Sequence, residues 1–369
     1  MESNVVAFPK LGLEFTLNRT AFRIGGLEVQ WYGVIIALGF ILALLYGLRK
    51  AKKLGLDADR VIDVAIGGML GGIVGARLYY VAFSWEEFSG DWTSIFRIWD
   101  GGLAIYGGLI GAVIVGSLIA KWRKVKLLPM FDLAGMGFLI GQAIGRWGNF
   151  FNVEAFGGNT NLPWGMTSPK IEEYLTFNQY RLQSIGMVVE PTAPVHPTFL
   201  YESLWCLAGF LILHFYFKHR RFDGELFLMY LGWYGLGRAF IEGLRTDPLT
   251  VGNIRISQLL AVLLVLASVI VWIVVRVKIH SSHDPDYLPL YVNTQESKDM
   301  LAAAAERIRL SKMKKSERQK LEEENALSVN VVESDSNPEE PADEASGVTA
   351  DEDLKPSQDG ESDHKEEQE

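Results

Sequence analysis

Cysteine and histidine are scarce in this chain of 369 residues, which contains 1 cysteine and 6 histidines. A single cysteine cannot form an intramolecular disulfide. Cys206 also lies in an apolar run, where a thiolate is disfavoured, so we expect no nucleophilic cysteine. The histidines form no metal-binding spacing and HExxH is absent, so we predict no metal site and no metalloprotease. No glycine-rich nucleotide loop follows a strand, and the N-terminus MESNVVAFPK lacks the features of a cleavable signal peptide.

Charge is divided unevenly along the chain. Residues 1–280 carry 25 Lys and Arg against 20 Asp and Glu, a net charge of +5, whereas residues 281–369 carry 10 against 24, a net charge of −14. After position 330 the composition is dominated by Glu, Asp, Ser and Pro, which cannot bury enough apolar surface to fold. We therefore predict a disordered acidic tail over 281–369. A helix is possible over 299–327, either solvated or lying on the membrane surface.

Seven apolar runs are long enough to cross a bilayer, which needs roughly 20 apolar residues per helix. The first, third and last contain no charged residue, whereas the helices of a water-soluble bundle would each show a polar face. We predict an all-α polytopic membrane protein whose catalytic domain, residues 31–280, has seven transmembrane helices. The runs are 31–48, 61–83, 102–120, 128–151, 198–217, 226–243 and 256–275.

Basic residues cluster in every second loop between these runs and after the last run. Because cytoplasmic loops carry an excess of Lys and Arg, we predict a cytoplasmic C-terminus and an external N-terminal segment over residues 1–30. Lys10, Arg19 and Arg23 are a mild signal against this orientation. The external loop 152–197 is long and proline-rich; loops of that length are usually functional or disordered, and we expect it to form a lid or arm over the site.

Glycines recur in the second and third runs at spacings of three and four residues. Small residues at such spacings let two membrane helices approach closely. We therefore predict a tight helix pair, although a lipid chain lying against a glycine surface would use the same residues. The glycines are Gly67, Gly68, Gly71, Gly72 and Gly75 in one run, and Gly107, Gly108 and Gly111 in the other.

Polar residues inside the apolar runs gather near their predicted external ends. Arg146, Asn149 and Asn152 are spaced to share one helical face, and Glu154 and Gly157 follow. A charge at membrane depth is costly and usually faces a polar cavity or a partner. A guanidinium with amide donors at a membrane boundary suits a lipid phosphate. A buried structural ion pair is the other interpretation.

Further polar residues lie at the same predicted end of the other runs. Tyr234, Arg238 and Glu242 are spaced by four residues and share a helical face. Only two intramembrane acids, Asp63 and Asp132, lie near the cytoplasmic ends. The clustering at one membrane face predicts a single external site. Its other candidate members are Tyr32, Arg77, Tyr79, Tyr80, Tyr106, His196 and Glu202.

Four segments resemble the bacterial prolipoprotein diacylglyceryl transferases over residues 20–277: WDGGLAIYGGLIG, GRWGNFFNVEAFG, HPTFLYE and GRAFIEGLRTDP. The resemblance implies an enzyme of the bacterial cell membrane that transfers the diacylglyceryl group of phosphatidylglycerol to the lipobox cysteine of preprolipoproteins. A thioether forms and glycerol phosphate leaves, which is the first step of lipoprotein maturation. The implied partners are phosphatidylglycerol, preprolipoprotein signal peptides and membrane lipids, with no nucleic acid and no cofactor.

The resemblance also implies roles for particular residues. Arg146 and Arg238 match the family's essential arginines, which makes them catalytic candidates. Well-known members have a histidine where this chain has Tyr106; a neutral tyrosine, with a pKa of about 10, is a poor base, so Tyr106 is assigned to positioning or proton relay. The resemblance makes Asn149, Asn152, Glu154, Gly157, Tyr32, Tyr234 and Glu242 candidate substrate-binding residues, and the clustering at one membrane face adds Arg77 and His196.

Two other functional classes fit a polytopic membrane protein. A membrane lipid or anion transporter could also use intramembrane arginines. Such a transporter should have internal repeats and a path through the midplane, whereas the charges here stay near one face. A non-enzymatic scaffold would not need so costly a cluster of charges.

Overall fold

The computed structural model describes residues 3–98, 101–246, 250–251, 254–284, 287–313 and 317. These residues are mostly helical. The chain divides into two units, Met1–Ile308 and Arg309–Glu369. Of the second unit, the structure describes 309–313 and 317, so the predictions for the acidic tail beyond 317 lie outside the described residues.

Helices dominate the order of elements, and short strands flank them. The helices are α1 (Trp31–Ala51), α2 (Ala58–Phe83), α3 (Trp85–Phe88), α4 (Ile105–Trp122), α5 (Leu127–Asn152), α6 (Pro169–Ser184), α7 (Thr198–Tyr216), α8 (Glu225–Ile241), α9 (Ile256–Ser282) and α10 (Gln295–Lys312). The strands are β1 (Ser3–Phe8), β2 (Leu13–Asn18), β3 (Thr20–Ile24), β4 (Leu27–Gln30), β5 (Thr250–Val251) and β6 (Ile254–Arg255). They pair as three antiparallel hairpins: β1 with β2, β3 with β4, and β5 with β6.

Six helices among the described residues are long and apolar enough to cross a membrane, which makes the chain a multi-pass membrane protein. They correspond to six of the seven predicted runs. The remaining run, 226–243, forms α8, which has 17 residues and is continued by the 3₁₀ turn Glu242–Leu244. The structure thus confirms a largely helical membrane protein, and the seven-span arrangement stays a prediction.

Helix α5 is the centre of the bundle, since it packs against α1, α7 and α8. Its buried face contributes to the main apolar core, which also takes side chains from α7 and α8. This central position brings the polar C-terminal end of α5 beside the ends of its neighbours. Core residues that are almost fully buried include Met136, Leu139, Leu213 and Leu226.

The predicted tight pair of glycine-rich helices is confirmed between α2 and α4. A Cβ atom added to Gly71 would lie 2.8 Å from the carbonyl oxygen of Gly111, and one added to Gly75 would lie 2.8 Å from the Gly111 Cα. Backbones this close leave no room for side chains. The glycines therefore serve helix packing.

A folded module, the head (residues 3–18 and 153–197), stands at the end of the bundle where α5 finishes. The sequence predicted an N-terminal segment and a lid or arm, but neither the β1–β2 hairpin nor helix α6. The β1–β2 hairpin and α6 pack against each other through an apolar cluster, and Ala7 of β1 pairs with Thr167. The signal for α6 was present: Pro169 suits the first turn of a helix, and Ile171 and Leu175 share a face.

Asp132 lies at the opposite end of the bundle from the predicted external cluster, and its hydrogen bonds explain this position. Buried Asp132 accepts hydrogen bonds from the backbone N–H of Gly224, at 2.8 Å, and of Phe227, at 2.9 Å. Backbone N–H groups at the start of a helix, as these are in α8, have no partner within the helix. Asp132 is therefore a helix cap supplied from α5.

Residues 287–308 belong to the first unit, although the predicted boundary of the tail was residue 280. The Ser297 hydroxyl donates to the carbonyl of Gly55 at 3.1 Å, and Arg307 contacts Asp57 at 2.9 Å. Tyr291 is buried in the main core. Helix α10 begins four residues before the predicted helix 299–327, and it contacts the α1–α2 connection through Ser297 and Arg307.

Candidate active site

The centre of the site is Glu202, on the second turn of α7, a carboxylate that is 4% exposed. Its Oε2 lies 2.5 Å from Nη2 of Arg146, and its Oε1 lies 3.3 Å from Nη1 of Arg238 and 3.6 Å from Nη1 of Arg245. Three guanidinium groups from α5, α8 and the following turn thus converge on one carboxylate. Without it they would repel one another, since like charges at this distance interact strongly in a low-dielectric region.

Arg238 bridges two carboxylates. Besides contacting Glu202, its Nη2 lies 2.6 Å from Oε2 of Glu242, one helical turn later. The predicted i, i+4 relation between Arg238 and Glu242 is therefore present as a contact. Glu242 is 1% exposed, so the pair is shielded from solvent on the Glu242 side, whereas the side chain of Arg238 is 19% exposed.

An amide relay connects Arg146 to Glu154. Arg146 Nη1 donates to the Asn149 side-chain oxygen at 3.4 Å, and the amide nitrogen of Asn149 donates to Glu154 Oε1 at 2.8 Å. Asn152 donates to the same Oε1 at 3.2 Å. Hydrogen bonds thus connect the polar helical face predicted from the spacing of Arg146, Asn149 and Asn152 to the carboxylate of Glu154.

The backbone after α5 brings Glu154 back toward the helix. Val153 has φ 49° and Ala155 has φ 55°, so both lie in the left-handed region that side chains disfavour. Such residues persist only where the surrounding structure fixes them. The reversal lets Glu154 face Asn149, five residues earlier, which a continuing helix would not allow.

Gly157 occupies a close backbone crossing. Its N–H donates to the His196 carbonyl at 2.9 Å, and the N–H of Gly158 donates to the Leu244 carbonyl at 2.8 Å. A Cβ on Gly157 would lie 2.8 Å from His196 Cβ. This glycine therefore joins the segments that carry Glu154, Glu202 and Arg245, and the geometry gives it a positioning role.

Two predicted tyrosines adjoin the arginine cluster. Tyr32, in the first turn of α1, lies so close to α5 that a Cβ on Gly148 would come within 2.7 Å of its ring. It interacts electrostatically with Glu154 and Arg146. Tyr234 on α8 interacts likewise with Arg146 and Arg238.

Arg77 and Tyr106, which were also predicted as site residues, have no described contact with the arginine cluster. Arg77 is buried and donates to the loop carbonyls of Ser94 at 2.7 Å, Ile95 at 2.8 Å and Gly101 at 2.7 Å, so it fixes the loop before α4. The hydroxyl of Tyr106, in the first turn of α4, has no hydrogen-bond partner among the residues that the structure describes.

His196 belongs to the connection that precedes α7. Its Nδ1 lies 3.1 Å from the hydroxyl of Tyr201, which accepts a hydrogen bond from Trp164 at 2.7 Å. Burial lowers the pKa of His196 below its usual value, which favours the neutral ring. The histidine is therefore a hydrogen-bonding group of this connection, held by a side chain of α7.

The sequence placed Glu202 in the external polar cluster but gave it no role, and Arg245 was not predicted as a site residue; both lie in the segments HPTFLYE and GRAFIEGLRTDP that carry the family resemblance. Spacing along one helix could relate Arg238 to Glu242 but could not relate either to a residue on α7. A carboxylate in the first turns of an apolar run was the available signal, because such a charge requires a partner.

The model of the prolipoprotein diacylglyceryl transferase family matches residues 19–274. The phosphatidylglycerol–prolipoprotein diacylglyceryl transferase of Thermotoga maritima is 41% identical over 275 residues, covering 74% of this chain and 88% of that protein. The protein of that name from Finegoldia magna is 40% identical over 269 residues, 73% of this chain and 100% of the relative. The one from Clostridioides difficile is 38% identical over 254 residues, 69% and 94%. The chain belongs to the prolipoprotein diacylglyceryl transferase family.

Proposed function

We propose that this protein transfers the diacylglyceryl group of phosphatidylglycerol to the cysteine thiol of a prolipoprotein. The names of its relatives supply the two substrates. The observation that carries the proposal for this chain is the convergence of Arg146, Arg238 and Arg245 on Glu202. Such a cluster suits the phosphate of the lipid, because guanidinium groups bind phosphate oxygens through paired hydrogen bonds.

The reaction exchanges a carbon–oxygen bond for a carbon–sulfur bond. The thiol sulfur attacks the glyceryl carbon that bears the phosphate ester and loses its proton as it does so; the bond from that carbon to oxygen breaks, and its electron pair leaves with glycerol phosphate. The thiol proton is accepted by the departing phosphate. The leaving group gains negative charge as the bond breaks, so the arginines stabilise the transition state more than the ground state.

Glu202 has the role of holding the arginines in place before the lipid arrives. Its carboxylate offsets their repulsion, and the arginines keep partly exposed side chains, 20% for Arg146 and 19% for Arg238. Asn149 orients Arg146 through its side-chain oxygen. Tyr106 donates a hydrogen bond to phosphate or relays the thiol proton, and Tyr32, Tyr234 and His196 line the substrate site.

The site faces the outside of the bacterial cell membrane. In this arrangement α8 also crosses the membrane, as the sixth of seven spans along the chain, the N-terminus and the head are external, and residues 281–369 are cytoplasmic. The alternation of basic loops supports this orientation. It also places the head on the side where a secreted prolipoprotein emerges, so the head can act as a lid or arm over the site.

Purified protein incubated with labelled phosphatidylglycerol and a lipobox peptide tests the proposal against lipid transport. We expect a peptide whose mass has increased by one diacylglyceryl group, with one glycerol phosphate released for each peptide modified. Reconstituted vesicles in which labelled lipid changes leaflet while the peptide stays unmodified would support a transporter and would remove the proposal.

A further inference from the structure

A cleft of about 330 Å³ lies in the head, between strand β1, the N-terminus of α6 and the loop 191–193. Strand β1 supplies one wall through Val5 and Ala7, and Ser168 and Glu172 supply another. This volume falls within the range of ligand-binding pockets. The cleft is separate from the arginine cluster.

One wall of the cleft is an open strand edge. Ala7 exchanges two backbone hydrogen bonds with Thr167, at 2.8 and 2.9 Å, on the side of β1 that faces away from β2. Backbone groups alternate along a strand, so the N–H and C=O of Val5 point to the same side as those of Ala7. Continued by two residues, this register would pair Val5 with Pro169, but Pro169 has no N–H to donate and is already the first residue of α6. The pairing therefore stops at Thr167 and leaves the edge at Val5 open.

A buried polar group faces the same cleft. Ser168 is 7% exposed and lines the cleft, and its hydroxyl has no hydrogen-bond partner among the described residues. A buried hydroxyl without a partner is unfavourable, because it has lost its hydrogen bonds to water. The hydroxyl also caps no backbone N–H of α6, although Ser168 is the N-cap residue. An occupant that hydrogen-bonds to Ser168 would remove this cost.

The opposite wall is preformed. The side chain of Asn159 donates to the carbonyls of Glu190, at 2.9 Å, and Ala193, at 3.0 Å, and accepts from the N–H of Glu190 at 2.7 Å. These bonds fix the loop that contributes Pro191 and Thr192 to the cleft. A binding surface held in this way loses little entropy when a ligand arrives.

The lining selects a peptide over a free anion. A helix N-terminus attracts anions, but the carboxylate of Glu172 stands in the same cleft and repels them. An extended peptide supplies what the walls lack: N–H and C=O groups for the Val5 edge, and an acceptor or donor for Ser168. Adding a strand to an exposed edge is a recurrent way to bind extended peptides.

The cleft is connected to the candidate active site through the first turn of α6. Lys170 lies two residues after Ser168, and its Nζ donates to the Asn152 carbonyl at 2.6 Å. Asn152 in turn contacts Glu154 of the amide relay. The first turn of α6 therefore borders the cleft through Ser168 and contacts the end of α5 through Lys170, so the cleft and the amide relay share one supporting element.

We propose that this cleft binds the polypeptide segment that follows the lipobox cysteine of the substrate, as an added strand on the edge of β1 at Val5. This inference rests on the proposed function. The head thus recognises the part of the prolipoprotein that follows the lipobox cysteine. Recognition is through the backbone, so substrates with different sequences after the cysteine are accepted.

Two lipobox peptides test the inference, one ending two residues after the cysteine and one continuing for ten neutral residues. With the wild-type protein we expect the longer peptide to have a KM about tenfold lower at similar kcat. N-methylation of single backbone amides in the extension should raise KM at alternate positions, as strand pairing requires. Because the protein is unchanged in this arm, the result does not depend on a variant folding.

A variant that fills the cleft gives the second arm. Thr192→Trp should remove the advantage of the longer peptide and leave the shorter one unaffected, whereas Thr176→Trp, on the exposed face of α6, should change neither. Equal KM values for the two peptides in the wild type would overturn the inference, as would an equal effect of Thr192→Trp on both. Inhibition by inorganic phosphate that Thr192→Trp relieves would assign the cleft to an anion. No transfer to either peptide would contradict the proposed function itself.

Discussion

The carboxylate of Glu202 on α7 and the guanidinium of Arg146 on α5 form a close ion pair in the arginine cluster, with 2.5 Å between Oε2 and Nη2. The side chain of Glu202 is 5% exposed and that of Arg146 is 20% exposed. The carboxylate of the pair is therefore buried, whereas the guanidinium remains partly accessible to solvent. This asymmetry leaves the arginine available to an incoming anion.

Replacing Glu202 by Gln should lower transfer strongly, because three guanidinium groups would then share no carboxylate. Breaking a buried ion pair by removing one partner costs about 3–5 kcal/mol, so we expect activity to fall by about 100-fold or more. Measurement of kcat and KM on folded, detergent-purified Glu202→Gln protein tests this expected loss. Glu173→Gln, at an exposed position on α6, is the matched control; equal activity of the two variants would contradict the role of Glu202.

Tyr106→Phe keeps the ring and removes only the hydroxyl. A hydrogen bond to a charged group contributes roughly 1.5–3 kcal/mol, so we expect a loss of about tenfold or more. Tyr106→His should keep partial activity and move the pH profile toward the imidazole range, about 6.5. Wild-type activity of Tyr106→Phe across the pH range would show that the hydroxyl has no part in the reaction.

Much of the candidate site was predictable from local spacing. The i, i+3, i+6 spacing of Arg146, Asn149 and Asn152 follows helical geometry, and so does the pairing of Arg238 with Glu242. Contacts between distant elements were not predictable. The approach of Glu202 to three arginines depends on how α5, α7 and α8 pack, and the carbonyls around Arg77 depend on an irregular loop.

Short elements outside the membrane runs were the least predictable part of the fold. The strands of the head have six residues or fewer and no strong alternation; β2, for example, has one buried residue in six. Their pairing is stabilised by contacts with α6 and with the end of α5, which are far away in sequence. The docking of residues 287–308 was missed for the same reason, since its partners are Gly55 and Asp57.

Two truncations should separate the docked segment from the acidic tail. Ending the chain after residue 317 keeps Tyr291 in the core and should leave thermal stability and transfer unchanged. Ending it after residue 284 removes Tyr291, which is 6% exposed; burial of one large apolar side chain contributes about 1.5–3 kcal/mol, so Tm should fall. Equal Tm values for the two proteins would mean that the segment adds no stability.

Single-cysteine labelling tests the proposed orientation. In a Cys206→Ala background, a cysteine at the exposed position Thr176 should react with an impermeant reagent in intact cells. A cysteine at Gly360 should react only after permeabilisation. The reverse pattern would invert the topology and place the arginine cluster on the cytoplasmic side.

The kinetics of Arg238 variants test the central claim, that this cluster binds and stabilises the phosphate of the lipid. We expect Arg238→Ala to lower kcat with phosphatidylglycerol by about 10²–10³-fold, as loss of a preorganised donor to a developing charge does. Arg238→Lys should recover little of it, since an ammonium lacks the paired donors of a guanidinium. Release of glycerol phosphate should fall in step with thioether formation. Transfer by Arg238→Ala at the wild-type rate, with glycerol phosphate still released one for one, would contradict the account.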